Sequence, residues 1–244
     1  MEKNDLTFGR HSVMESLKQG HGNKLYMQSD LKSDKLASFK EEARRQSVPV
    51  SFVPKQKLDQ MTENGNHQGV VLTVSPYQYY DLSQLIAESL AKKPDPVFLM
   101  LDGIEDPHNL GSMMRTADAS GIDGIIIAKH RAVGITPIVA KTSTGAVEHV
   151  PVARVTNLTQ AVKELKEKGF WAFGTDMTGM NYQDFDPKGP LVIVIGNEGK
   201  GMSPRLKKEM DGLLTIPMVG HVQSLNASVA AGLLMYEVLR KRQA

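Results

Sequence analysis

Three loops of this 244-residue chain carry side chains that could do chemistry. Each follows a short apolar run, and they read DGIEDPHNLG at 102–111, GNEGKG at 196–201 and VGHVQSL at 219–225. A planar guanidinium such as that of Arg115 can clamp a phosphate or stabilise an oxyanion, and neighbouring polar groups can orient it or its substrate. The candidates in or just after these loops are Asn109, Arg115, Glu198, Ser224 and Asn226.

The same residues also have a purely structural interpretation. Asn109 is a competent N-cap for a helix predicted over 112–119, and Ser224 and Asn226 are ordinary N-caps for the last helix. The three glycines of 196–201 could form a tight turn, and they predict either a positive φ or the close approach of another group. Three such loops in one domain nevertheless favour a shared site over three unrelated caps.

The glycine-rich loop 196–201 does not match the nucleotide-binding motifs. A P-loop needs four residues between its first glycine and the Gly-Lys pair, followed by serine or threonine. Here only Asn197 and Glu198 precede Gly199-Lys200, and Gly201 follows. The spacing G-x-G-x-x-G is absent as well, which argues against a nicotinamide-dependent dehydrogenase.

Composition excludes several classes of protein. The chain has no cysteine, so disulfides and cysteine-bound zinc are ruled out, and its seven histidines show no metal-ligand spacing, so we expect no metal. The apolar runs are far shorter than the roughly 20 residues of a membrane span, and the polar first residues do not resemble a signal peptide, which predicts a cytoplasmic protein. The formal net charge of +2 does not by itself predict a nucleic-acid partner.

The elements that precede the loops suggest two domains. Residues 1–76 are predicted to form a small α/β domain whose first helix is closed by Gly20 as a C′ residue. Residues 77–95 are predicted to be a linker, because they combine YQYY, a helix and the turn-forming Pro94-Asp95-Pro96. In the small domain we expect helices at 10–19 and 33–46, a short helix after the second strand, and strands at 24–28, 50–53 and 69–75.

Residues 96–244 alternate predicted strands with predicted helices, which favours parallel strands joined by crossover helices. Ligands of open α/β sheets bind at the carboxyl ends of the strands, so the three polar loops are expected at one edge. Asn157 with Gln160 predicts a capping box. The expected strands lie at 97–101, 124–128, 150–153, 170–174, 191–195 and 213–216, and the expected helices at 112–119, 137–142, 158–168, 204–210 and 226–241.

Three segments resemble, in order and spacing, the motifs of the SpoU (TrmH-type) RNA ribose 2′-O-methyltransferases. They are DGIEDPHNLGSMMRTADASG at 102–121, LVIVIGNEGKGMSPRL at 191–206 and LTIPMVGHVQSLNASVAAGLLMYE at 214–237. FGRHSVMESL at 8–17 and NHQGVVL at 66–72 resemble the substrate-binding domain of the branch that modifies a guanosine in the peptidyl-transferase region of bacterial 23S ribosomal RNA. The resemblance implies a parallel-sheet α/β methyltransferase domain with a C-terminal trefoil knot, a SPOUT-type fold, preceded by a small α/β RNA-binding domain.

The resemblance also implies S-adenosylmethionine as the cofactor, ribosomal RNA as the substrate and a homodimer. It places the active site on Asn109, Arg115, Glu198, Ser224 and Asn226. It places the cofactor contacts on Thr175, Gly196, Ile216, Met218 and Leu225, and RNA contacts on Arg10, His11, His67 and Gln68. Because a guanidinium stays protonated, we expect Arg115 to stabilise a developing alkoxide rather than to act as a base.

Two alternatives are open at this point. The same reaction could act on transfer RNA or on another site of ribosomal RNA, although the extra amino-terminal domain favours ribosomal RNA. The chain could also be a non-catalytic RNA-binding module that retains the fold, against which stands the presence of all five active-site residue types.

Overall fold

The structure is a computed structural model that describes residues 6–18, 22–30, 36–74, 77–222 and 224–243. The chain divides into two compact units, residues 1–78 and residues 79–244. None of the described helices is long and apolar enough to cross a membrane.

The first unit is built on a four-stranded sheet with the strand order β1-β4-β2-β3. Strand β2 is parallel to β3 and antiparallel to β4, and β1 is antiparallel to β4. Buried apolar side chains of α1, α2 and the sheet form its core, among them Val13, Leu25 and Phe39. The elements are β1 (Leu6–Phe8), α1 (Arg10–Lys18), β2 (Gly22–Gln28), α2 (Ala37–Arg45), β3 (Val50–Val53), α3 (Lys55–Met61) and β4 (Val70–Val74).

Most of these elements lie within a few residues of their predicted bounds. Strand β1 was not predicted, because three residues carry no periodicity and its pairing with β4, which joins Leu6 to Thr73, is set by tertiary structure. The predicted closure of α1 by Gly20 and the predicted start of α2 at 33–35 lie outside the described residues.

The second unit contains a six-stranded sheet with the order β10-β8-β9-β5-β6-β7, in which all neighbouring strands are parallel. The predicted fold class, a parallel-sheet α/β domain preceded by a small α/β unit, is confirmed, whereas the trefoil knot stays a prediction. The elements are α4 (Leu82–Lys92), β5 (Val97–Leu101), α5 (Pro107–Ala119), β6 (Gly124–Ala128), α6 (Pro137–Thr142), a 3₁₀ turn (Ala146–Glu148), β7 (Val152–Val155), α7 (Leu158–Glu167), β8 (Trp171–Asn181), β9 (Leu191–Ile195), α8 (Pro204–Lys207), β10 (Gly212–Thr215) and α9 (Ala227–Gln243).

Burial on both faces explains why the central strands were predictable. Every residue of β5 and β9 is buried, as the near-continuous apolar runs of parallel sheets require. Phe98 of β5 stacks on Phe170 at 5.0 Å between ring centroids. The predicted cap of α7 is confirmed, because Asn157 Oδ1 accepts a hydrogen bond from Gln160 N at 3.2 Å.

Helix α5 begins five residues earlier than predicted, at Pro107 instead of Ser112. Asp106 is its N-cap, since its Oδ1 accepts a hydrogen bond from His108 N at 3.0 Å. Pro107 occupies the first helical position, where a missing N–H costs nothing. The prediction of Asn109 as the N-cap is therefore wrong, and Asn109 lies buried inside the first turn.

Several other elements differ from their predicted bounds by one to seven residues, among them α8, β7 and β8. Helix α8 ends at Lys207 rather than at 210. Strand β7 covers 152–155 rather than 150–153, because its register is set by pairing of Val152 with Ile125 of β6. Strand β8 continues past 174 to Asn181, and its second half pairs with β10 after a register shift.

Candidate active site

The loops that follow β5 and β9 lie side by side at the carboxyl edge of the sheet. These two strands are neighbours in register, with Leu101 opposite Ile195. Asn197 Nδ2 donates to Gly103 O at 2.8 Å, and Ser203 N donates to Asp102 Oδ2 at 2.7 Å. The two loops are thus bonded to each other directly, as expected for polar loops at the carboxyl ends of adjacent strands.

One carboxylate oxygen joins the three motif loops. Glu198 Oε1 accepts hydrogen bonds from Asn109 Nδ2 at 3.0 Å, from Asn226 Nδ2 at 2.7 Å and from Ala227 N at 2.9 Å. Asn226 Nδ2 also donates to Asn109 Oδ1 at 2.9 Å. Hydrogen bonds to a charged acceptor are stronger than neutral ones, so this shared oxygen holds both amides in fixed orientations. We call Asn109, Glu198 and Asn226 the motif cluster.

Asn226 serves the cluster and caps a helix at once. Its Oδ1 accepts hydrogen bonds from Ser228 N at 3.0 Å and from Ser228 Oγ at 2.6 Å, at the start of α9. Asn226 is therefore both a helix cap and a member of the motif cluster, because its Oδ1 accepts from Ser228 while its Nδ2 donates to Asn109 and Glu198. Ser224 is exposed and lines the adjacent cleft.

The glycine-rich loop is a tight turn in which the glycines have different roles. Asn197 N donates to Gly201 O at 3.1 Å, and Gly201 N donates to Asn197 O at 2.8 Å. Gly201 has a φ of +65°, which favours glycine. At Gly196 a Cβ atom would clash with the backbone of Gly201 and Met202, so the requirement there is close approach.

A cleft of about 390 Å³ opens beside the motif cluster, between the ends of β8, β9 and β10 and the start of α9. Thr175 Oγ1 donates to Val194 O and accepts from Gly196 N, both at 3.3 Å, which ties β8 to the glycine-rich loop. The walls combine apolar side chains with the backbone of a glycine-rich turn, a composition typical of small-molecule sites. The lining includes Thr175, Gly196, Glu198, Ile216, Met218, Ser224 and Leu225.

Arg115 lies apart from the motif cluster in one chain. It is exposed on α5, and its side chain forms no hydrogen bond or ion pair with another of the described residues. It follows Asn109 by six positions, and at about 100° per residue this spacing puts the two side chains on different faces of the helix. The structure therefore brings together Asn109, Glu198 and Asn226, but it does not bring Arg115 to them.

In the first unit, Arg10 and Gln68 bond to each other. Arg10 N donates to Gln68 Oε1 at 3.0 Å, and Arg10 Nε donates to Gln68 O at 3.3 Å. Both line a cavity of about 710 Å³. His11 is exposed on α1. These three residues are accessible to a ligand of this unit.

His67 differs from the other three amino-terminal candidates because it is buried, with 5% of its surface exposed. Its Nε2 lies 2.9 Å from Asp59 Oδ1, and its Nδ1 accepts a hydrogen bond from Gly69 N at 3.0 Å. The hydrogen bond from His67, helped by the charge of Lys55, lowers the pKa of Asp59. With both ring nitrogens bonded to protein, His67 orders its own loop.

Sequence reasoning missed an ion pair on the wall of the cleft. Lys207 Nζ donates to Asp176 Oδ2 at 2.7 Å, and Thr178 Oγ1 donates to Asp176 Oδ1 at 2.6 Å. These bonds, with Lys207 the larger cause, lower the pKa of Asp176 to about 2. The position of Asp176 next to Thr175 was the only signal in the sequence, and it could not identify Lys207 as the partner, because the two residues are 31 positions apart.

Acid should weaken the fold through Asp176. Its folded pKa of about 2 lies below the ordinary value of 3.8, so it contributes stability above pH 4 that is lost as the pH falls towards 2. We expect the difference in free energy of unfolding between wild type and Asp176→Asn to shrink over this window, as measured by denaturant titration. Asp186→Asn, which removes an exposed ion pair with Lys188, is the control and should show no such trend.

Comparison with known proteins places this geometry in a family. Residues 96–236 match the model of the SpoU rRNA Methylase family, and residues 6–80 match the model described as RNA 2′-O ribose methyltransferase substrate binding. A protein of Bacillus subtilis (strain 168), named as a TrmH family tRNA/rRNA methyltransferase, is 50% identical over 243 residues, which cover 99% of this chain and 97% of that protein. The chain belongs to the SpoU rRNA methylase family.

Two solved structures are similar over different shares of the chain. The AdoMet-bound rRNA methyltransferase from Sinorhizobium meliloti is 25% identical with a TM-score of 0.60, and the match covers 97% of this chain and 87% of that one. The TrmH/SpoU tRNA modifying enzyme of A. aeolicus is 31% identical with a TM-score of 0.57, and the match covers 66% of this chain and 82% of that one.

Proposed function

We propose that the protein transfers a methyl group from S-adenosylmethionine to the ribose 2′-hydroxyl of a guanosine in 23S ribosomal RNA. The observation that carries this proposal is the single Glu198 oxygen that ties the three family motifs together at the wall of the cleft. The match to the ribosomal RNA enzyme extends over 97% of this chain, against 66% for the transfer RNA enzyme, which favours ribosomal RNA.

The cleft suits S-adenosylmethionine in size and chemistry. Its volume of about 390 Å³ is within the range of small-molecule pockets. Apolar groups of Ile216, Met218 and Leu225 would cover the adenosyl part, and backbone groups near Thr175 and Gly196 would supply hydrogen bonds. When bound there, the cofactor supplies an electrophilic methyl group on a sulfonium sulfur.

Gly196→Ala should damage cofactor binding. A Cβ atom at this position would clash with backbone atoms of Gly201 and Met202, which a side-chain rotation cannot relieve. We expect the affinity for S-adenosylmethionine to fall at least tenfold, on the order of 1.4 kcal/mol or more, in isothermal titration calorimetry. Gly199→Ala is the matched control, since its Cβ atom would meet only Asn197 Oδ1, at an ordinary contact distance of 3.7 Å, and its affinity should stay close to wild type.

The chain's own residues would position the nucleotide and stabilise charge. Methyl transfer is an in-line displacement, so holding the 2′-oxygen close to the methyl carbon supplies much of the rate. The motif cluster would hold the ribose through its fixed amides, and Ser224 would hold the last loop against the cofactor. Arg115 would stabilise the developing alkoxide and anchor a phosphate, while the proton leaves to a phosphate oxygen or to water.

A homodimer is part of the proposal. Val229, Leu233 and Tyr236 form an apolar stripe on α9 and are 51%, 38% and 50% exposed, which is the spacing of one helix face. A Cβ atom at Gly232 would lie 3.7 Å from Thr116 Cγ2, so α5, the helix that carries Arg115, packs against α9 beside this stripe. A second copy docked on the stripe would lie close to α5 as well, and a monomer at micromolar concentration in sedimentation velocity would contradict the dimer.

The domains divide the work in this proposal. Residues 1–76 would capture ribosomal RNA or the assembling large subunit through Arg10, His11 and Gln68, with His67 ordering the loop, and residues 77–95 would link them to the knotted catalytic domain at 96–244. RNA loops are recognised by stacking and edge hydrogen bonds more than by bulk charge, which agrees with the small net charge of +2. We infer that the protein acts on ribosomal RNA in the cytoplasm.

Transfer of labelled methyl from S-adenosylmethionine to separate purified RNAs tests the function. We expect label on 23S ribosomal RNA and none above background on transfer RNA. Label on transfer RNA alone would favour the alternative substrate, and no label on any RNA would favour the non-catalytic RNA-binding module.

A further inference from the structure

A short basic segment lies at the same edge of the sheet, in the loop that follows β6. Residues 129–131 read Lys-His-Arg, and we call them the basic loop. His130 and Arg131 are exposed, and Lys129 is half-buried. Within the described part of the chain, none of the three side chains has a hydrogen bond or an ion pair. The positive charges of Lys129 and Arg131 are therefore available to a ligand, and His130 can add a ring N–H donor.

Hydrogen bonds fix the backbone at the start of the basic loop and shortly after it. Lys129 N donates to Val155 O at 2.7 Å, and Arg154 Nη2 donates to Lys129 O at 3.3 Å. Four residues after Arg131, Ile135 N donates to the hydroxyl oxygen of Tyr79 at 2.7 Å. A loop fixed in this way loses little backbone entropy on binding.

The conformation of Arg131 is unusual for its residue type. Its φ is +55°, in the left-handed region that non-glycine residues seldom adopt. No hydrogen bond of its side chain to the rest of the described chain accounts for this conformation. Strained backbone of this kind clusters at functional sites, where the surrounding structure imposes it.

The basic loop is also close to the candidate active site. Val133 N donates to Ile104 O at 2.8 Å, which joins it to the loop after β5 that precedes Asn109. Because β9, β5 and β6 are consecutive neighbours, the basic loop lies two strand spacings, about 10 Å, from the glycine-rich loop. Glu105 and Asp106 are exposed acids on the loop between them, and Asp106 is engaged as the N-cap of α5.

We propose that Lys129, His130 and Arg131 bind the phosphodiester backbone of the substrate RNA next to the nucleotide that enters the cleft. This site rests on the proposed function for its ligand, since a nucleotide held at the motif cluster must carry its neighbouring phosphates along the same edge. Exposed cations of this kind contribute to RNA affinity through phosphate contacts and the release of counterions.

The salt dependence of RNA binding tests this site. The double variant Lys129→Gln with Arg131→Gln is compared with wild type by fluorescence anisotropy, using a transcript of the peptidyl-transferase region of 23S ribosomal RNA. Each lost contact to single-stranded phosphate should reduce the slope of log K against log salt by about 0.7, so the double variant should lose about 1.4. Its affinity should fall about tenfold or more, while calorimetry gives an unchanged affinity for S-adenosylmethionine.

Two further variants serve as controls. Lys168→Gln removes an exposed cation where α7 leads into β8, at the opposite edge of the sheet, and should leave the slope unchanged. Arg131→Lys keeps the positive charge, so the slope of log K against log salt should stay close to that of wild type.

The outcomes separate this inference from the proposed function. An unchanged slope in the double variant overturns the phosphate site, and so does a loss of affinity for S-adenosylmethionine, which would mean that the loop only supports the cleft. A third outcome is that the two slopes differ as expected but the wild-type chain transfers no methyl to the transcript. This result contradicts the proposed function and leaves the phosphate site standing.

Discussion

Arg115→Lys should lower kcat for methyl transfer about 100-fold, which is the size of effect seen when one donor to a developing oxyanion is removed. Lysine keeps the charge but loses the planar fork that can hold a phosphate and an alkoxide together. Because Arg115 lies outside the cleft lining, we expect the affinity for S-adenosylmethionine to stay unchanged. Single-turnover kinetics and calorimetry measure the two quantities separately.

Arg45→Lys is a suitable control, because Arg45 is an exposed helical arginine of the first unit whose ion pairs with Glu41 and Glu42 are long, at 3.7 Å. It should turn over like wild type. Near-normal turnover of Arg115→Lys with an unchanged pH dependence would show that no planar clamp is needed, and the role given to Arg115 would be wrong.

Glu198→Ala should also lower kcat at least 100-fold, through a different cause. Asn109 Nδ2 and Ala227 N lose their acceptor, and Asn226 Nδ2 keeps only its bond to Asn109 Oδ1. Asn109 and Ala227 are buried, and leaving buried polar groups unpaired costs about 1–3 kcal/mol each. Each 1.36 kcal/mol of lost transition-state stabilisation is a factor of 10 in rate. Methyl-transfer kinetics at saturating RNA give the loss directly.

Glu198→Gln separates positioning from charge. Its amide keeps an oxygen that can accept from Asn109 Nδ2, Asn226 Nδ2 and Ala227 N, so we expect a loss within about 10-fold, the cost of weaker neutral bonds. Glu105→Ala, which removes an exposed carboxylate of the loop after β5, controls for the general loss of negative charge. If glutamine were as damaging as alanine, Glu198 would act through its charge or as a base, and not by holding the amides.

Much of the fold followed from burial patterns. Strands β5 and β9 were predicted with their observed bounds because all ten of their residues are buried and read as unbroken apolar runs. Helix α5 shows where such patterns fail, since Asp106 and Asn109 are both good N-caps three residues apart. The signal that decides between them was present, because Pro107 favours the first helical position and so selects Asp106.

The residue types of the candidate site could be taken from the sequence, but their mutual contacts could not. Glu198 and Asn109 are 89 residues apart, and only the pairing of β5 with β9 brings their loops together. The sequence also did not show that His67 is buried, with its two ring nitrogens hydrogen-bonded to Asp59 and Gly69. Arg115 was chosen by resemblance, and its six-residue spacing from Asn109 on one helix indicates that the two side chains lie on different faces.

The central claim is methylation of the ribose 2′-oxygen of a guanosine, and the most direct test is the identity of the product nucleoside. The purified protein would be incubated with S-adenosylmethionine and 23S ribosomal RNA, which is then digested to nucleosides and analysed by mass spectrometry with fragmentation. The account predicts a single new product, guanosine with the added methyl on its ribose. A methyl group on a base, or on the ribose of a nucleoside other than guanosine, would contradict it.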